Sequence, residues 1–141
     1  MSTRDLLETL ISFDTVSRNP NRELMDFVRS WLDEQGIESL LVPNEDGSKA
    51  NLYATVPGNA ADGGIMLSGH TDVVPIDGQD WTLPAFSMTE KNGRYYGRGT
   101  ADMKGFVACA MTAMAKASRQ PLQVPLHLAL SYDEEIGCVG V

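Results

Sequence analysis

Apolar residues recur along the chain in two rhythms, one helical and one alternating, and together they divide it into short segments. Leu6, Leu7, Leu10 and Ile11 make one helical stripe over residues 3–11, behind a cap at Ser2 or Thr3. A stronger stripe of Leu24, Phe27, Val28, Trp31 and Leu32 predicts a helix over 21–35 that Gly36 ends. Strands are predicted at 37–42 and 51–56, separated by a polar loop at 43–49. The mostly apolar run 65–69 reads as a buried strand that delivers His70 at its C-terminal end. Segments 86–90 and 94–97 flank Lys91-Asn92-Gly93, and Asn-Gly between strand-like runs predicts a hairpin. Residues 103–117 read as a helix with Phe106, Val107, Ala110, Met111 and Met114 on its inner face. Alternation over 124–132 predicts a last strand, which ends at Asp133-Glu134-Glu135.

Strands separated by helices predict an α/β fold with a partly parallel sheet covered by helices. In such folds ligands gather outside the carboxyl ends of strands, where His70 and Glu134-Glu135 fall. No repeat, low-complexity tract or linker divides the chain, and 141 residues suit one domain. The composition, 43% apolar and 21% charged, is that of a soluble globular protein.

A formal charge of −8, from 19 acidic against 11 basic residues, argues against a nucleic-acid partner and leaves carboxylates for divalent cations. No apolar stretch approaches the roughly 18 residues of a membrane span, and no basic-then-apolar leader opens the chain. A membrane partner is therefore not expected, and the cytoplasm is the expected compartment. Cys109 and Cys138 are too few for a disulfide framework. Both read as reduced, Cys109 buried on an apolar helix face and Cys138 near the candidate site.

Three segments carry chemistry. In SGHTDVVP, His70 is a candidate metal ligand, and Asp72, on the same side of an extended stretch, can accept its other ring N–H. The same pattern also suits a polar turn that closes a strand. In GRGTADMKG, Asp102 at a helix start suits either a cap or a carboxylate bridging two cations. A dinucleotide loop is ruled out there, because the third glycine is missing from its place. In SYDEEIG, Glu134 and Glu135 diverge, so one can bind metal while the other moves protons, or both can simply start a helix. His127 reads as structural, and Trp81 and the methionines as packing.

Taken in this order and spacing, the three segments resemble the M20 family of metallopeptidases and amidohydrolases over essentially the whole chain. The resemblance implies a zinc-peptidase-like catalytic domain of which residues 1–141 are the N-terminal portion. It makes His70 a ligand of one zinc, Asp102 the bridge to a second, and Glu135 a ligand of that second ion. Glu134 becomes the general acid/base and Asp72 the residue that orients His70. Two divalent cations, zinc or cobalt, and a small N-acyl amino acid substrate follow, with a homodimer for the full-length form.

Narrower features resemble the branch of the family that deacetylates N2-acetyl-L-ornithine in arginine biosynthesis. They are FDTVSRN at 13–19, Pro43-Asn44 with Lys49-Ala50-Asn51-Leu52, and Asp77-Gly78-Gln79. Rival readings are desuccinylation of N-succinyl-diaminopimelate, cleavage of a dipeptide, or a non-catalytic interaction domain. One departure is Leu83-Pro84-Ala85-Phe86, where relatives show Asp-Pro-Phe. The family's further acidic ligand, late histidine ligand and lid lie downstream of this point. Residues 1–141 alone are accordingly expected to be inactive and to bind metal weakly.

Overall fold

A computed structural model describes all 141 residues. Helix α1 (Thr3–Ser12) opens on a reciprocal cap, in which Ser2 Oγ accepts the Asp5 N–H and the Asp5 carboxylate accepts the Ser2 N–H. That satisfies two of the donors a helix start leaves without partners. Helix α2 (Arg22–Glu34) buries Leu24, Met25, Val28, Trp31 and Leu32. It stops before Gly36, whose φ of 74° is the left-handed value that ends a helix.

Strands β1 (Ser39–Pro43), β2 (Ala50–Val56), β3 (Ile65–His70) and β6 (Leu126–Ser131) form the main sheet in the order β1-β2-β6-β3. The first two pairings are antiparallel and β6 runs parallel to β3. Parallel neighbours need a long crossover. Here it contains the hairpin of β4 (Thr89–Lys91) and β5 (Arg94–Tyr96), then helix α3 (Lys104–Ala117). Asn92 and Gly93 both take positive φ, as the tight hairpin turn requires. His70 pairs with Ser131, so β3 and β6 end side by side and deliver the following residues to one rim.

One apolar core joins all three helices to Leu52, Ala54, Val56, Leu128 and Leu130 on one face of the sheet. Truncating the fully buried Leu128 to Ala would cost about 2–5 kcal/mol. Leu40 and Val42, which flank the partly buried Leu41 on β1, and Tyr53, which lies between the buried Leu52 and Ala54 on β2, are exposed. The helices therefore cover only this one face.

Three burial expectations are corrected. Ile65 and Met66 are 59% and 53% exposed, because β3 is an edge strand with a neighbour on one side only. Phe106 and Cys109 are exposed as well. Three residues apart, they share a flank of α3 beside the buried line of Val107, Met111 and Met114. His127 is structural as expected, with Nδ1 bonded to the Tyr53 and Thr55 hydroxyls and Nε2 to the Gly63 carbonyl. No helix is long and apolar enough to cross a membrane.

Candidate metal centre

The rim where β3 and β6 end gathers His70, Asp72, Asp102, Glu134 and Glu135. His70 is buried, with its Nε2 3.3 Å from Asp102 Oδ1 and 3.6 Å from Glu134 Oε2. Donor atoms of His70, Glu134 and Glu135 all lie within 4.8 Å of one another. Asp102 arrives from the loop before α3, joined to Met103 by a cis peptide bond, and its side chain is 76% exposed. It does not cap the helix, since α3 begins at Lys104 without a side-chain cap.

Asp72 organises this rim from beneath. Its backbone carbonyl lies 3.0 Å from His70 Nδ1, with its carboxylate at 3.4 Å. The carboxylate accepts the N–H groups of Glu134 and Glu135 at 3.1 and 3.2 Å, and the Ser17 hydroxyl at 2.6 Å. Of the oxygens of Asp72, the carbonyl is thus nearest the ring nitrogen, and the side chain serves mainly the backbone that carries the two glutamates.

A carbonyl only accepts, so Nδ1 is the protonated nitrogen, and in the neutral ring Nε2 turns a lone pair toward carboxylates. An ionised carboxylate has no hydrogen to offer that lone pair. No lysine or arginine forms an ion pair with Asp102, Glu134 or Glu135. Burial, followed by repulsion from the Asp102 carboxylate, holds the Glu135 carboxyl above its ordinary range, with His70 pulling the other way. An imidazole nitrogen and several unneutralised carboxylate oxygens in one place fit a divalent cation.

The largest cavity, about 480 Å³, is lined by Phe13, Asp14, Arg22 and Ser48 among others, and by none of these acids. It therefore takes no part in the assignment. Cys138 lies near the rim, its Sγ 3.9 Å from Glu134 Oε1.

Sequence reasoning missed four residues around this site. Ser17 reaches the Asp72 carboxylate, and Lys49 pairs with Asp133 at 2.6 Å. Lys104 is almost wholly buried, donates to the Phe13 carbonyl at 2.7 Å, and burial pulls its ammonium down to about 7 while Asp14 raises it. No periodicity marks any of them, because each partner is distant in sequence.

Residues 66–141 match the model of peptidase family M20/M25/M40. The chain belongs to that family. This M20 chain is 38% identical over 133 residues to the acetylornithine deacetylase of Pasteurella multocida, covering 94% of itself and 34% of the relative. It is 39% identical over 141 residues to that of Proteus mirabilis, covering 97% and 36%. Among solved structures, human carnosine dipeptidase 1 superposes with a TM-score of 0.82 at 26% identity, over 99% of this chain and 33% of that one. An M20 family metallo-carboxypeptidase from Sulfolobus solfataricus gives 0.86 at 25% identity, over 99% and 32%. The M20 chain thus spans about a third of the length of the curated relatives it matches.

Proposed function

We propose that residues 1–141 form the N-terminal portion of a dinuclear-metal catalytic domain, and that the intact enzyme hydrolyses N2-acetyl-L-ornithine to L-ornithine and acetate. The observation that carries the hydrolase reading is His70 Nε2, 3.3 Å from Asp102 and 3.6 Å from Glu134, at a rim without a basic partner. Support for the substrate comes from relatives that are acetylornithine deacetylases at 38% and 39% identity.

His70 and Asp102 would hold one cation, zinc or cobalt, and Asp102 and Glu135 the other. When bound, such a pair lowers the pKa of water and polarises an amide carbonyl. Glu134 accepts the proton of the attacking water at its carboxylate and passes it to the leaving amine nitrogen. Asp72 keeps the imidazole oriented through Nδ1 and keeps both glutamates aimed through their N–H groups. A homodimer acting on a small N-acyl amino acid in the cytoplasm belongs to the same reading. These residues give each cation two protein donors where a catalytic zinc takes about three, so further ligands come from elsewhere and the 141 residues alone do not turn over.

The test is metal analysis of the intact polypeptide, with rates compared on N2-acetyl-L-ornithine, N-succinyl-diaminopimelate and a dipeptide. About two zinc or cobalt ions per chain and the highest kcat/KM on the acetyl substrate are expected. Preference for another substrate would reassign the specificity. Absence of both metal and hydrolysis would leave a non-catalytic interaction domain.

A further inference from the structure

The proposed chemistry leaves unused a largely enclosed ammonium beside the acidic turn. Lys49, just before β2, ion-pairs with Asp133 at 2.6 Å and also donates to the Ser17 carbonyl. Its side chain is 15% exposed and that of Asp133 11%. The ammonium also faces the Tyr132 ring, 5.8 Å from the centroid. A pair so enclosed is weakly screened, and losing one partner strands the other's charge.

The pair acts on the backbone that carries the two glutamates. Asp133 has a φ of 57°, in the left-handed region that residues with a side chain adopt uncommonly, aspartate and asparagine more readily than most. That conformation turns the chain after β6 so that the Glu134 and Glu135 N–H groups meet the two oxygens of Asp72 at 3.1 and 3.2 Å. Ser17 closes the circuit, donating its hydroxyl to Asp72 and accepting from the Lys49 ammonium at its carbonyl. Lys49 therefore grips from outside the same turn and the same N-terminal segment that Asp72 grips from inside.

We propose that Lys49 is a positioning residue, whose ion pair with Asp133 holds the left-handed turn that sets Glu134 and Glu135 against His70 and Asp72. It touches no reacting atom and works through the backbone of the acids. The inference rests on the reading of Glu134 as proton carrier, yet its first readout needs neither metal nor substrate.

The experiment compares wild type, Lys49→Met and Lys49→Arg in the intact polypeptide. In metal-free protein, hydrogen exchange at the Glu134 and Glu135 amides should accelerate by about 10-fold or more in Lys49→Met, with β2 and β6 amides unchanged, and Lys49→Arg should restore protection. In metal-loaded enzyme, kcat should fall about 10-fold in Lys49→Met with little change in KM, and recover with Arg. Unchanged exchange at the two amides would overturn the proposal, as would a loss of protection shared equally with β2 and β6, which marks a merely structural pair. Should wild type neither bind zinc nor hydrolyse the amide while the exchange pattern holds, the functional reading fails and the positioning role stands.

Discussion

The chain has two histidines, both on the β3–β6 ladder, and they are treated in opposite ways. At the amino end of β6, His127 has a neutral partner on every ring nitrogen: two hydroxyls on Nδ1 and a carbonyl on Nε2. At the carboxyl end of β3, His70 has a carbonyl on Nδ1 and only carboxylates near Nε2. The first ring is complete with the protein alone. The second is complete only when a proton or a metal ion joins it. Residue type is the same at both places, so the difference lies in what the sheet ends place around each ring.

The strongest way to break this contrast is to remove the proposed proton carrier beside the second ring. Glu134→Gln should lower kcat of the intact enzyme by about 100- to 10,000-fold while metal content, read by elemental analysis, stays at the wild-type level. Retained turnover would strip Glu134 of that role.

Next comes the paired substitution of the histidines. His70→Ala should weaken zinc binding by about 10-fold or more in competition titrations, because the proposed ligand is lost. His127→Ala should leave zinc affinity unchanged and cost about 0.5–1.5 kcal/mol in denaturant unfolding, since an exposed hydrogen bond to the Gly63 carbonyl is lost to water. Equal effects of the two on metal would erase the distinction between them.

A smaller effect sharpens the contrast with a third kind of buried group. Lys104 carries an ammonium with a carbonyl as its single hydrogen-bond acceptor, and burial brings it from 10.5 to about 7. Its folded pKa lies below the unfolded one, so the unfolded chain holds more protons between those values and stability rises with pH across that window. The slope is at most about 1.4 kcal/mol per pH unit. Lys104→Met should flatten the rise between about pH 7 and 10, measured by urea unfolding, and an unaltered slope would place the depressed ammonium elsewhere.

Much of this arrangement was legible in residue order. Helical stripes, the Asn-Gly hairpin and the placement of acids at strand ends are local patterns, and local patterns survive folding when the core agrees with them. The exposure of Ile65 and Met66 was not legible, because an apolar run does not say how many neighbours its strand will have. Phe106 and Cys109 were misplaced for a related reason: a helix rich in alanine and methionine leaves the direction of its inner face ambiguous by one flank. Ser17, Lys49, Asp72 and Asp133 all lie in the segments singled out by motif, but the pairings that join them were not legible, since they span 32, 55 and 84 residues and follow no period.

The rim draws its donors from three distant stretches of chain, with His70 and Asp102 alone 32 positions apart. An ion seated there would tie those stretches together only while the chain is folded, so its binding free energy would add to the stability of the folded state. Thermal resistance of the polypeptide would then track the free concentration of the ion, and chelation would loosen β3, α3 and the final turn together.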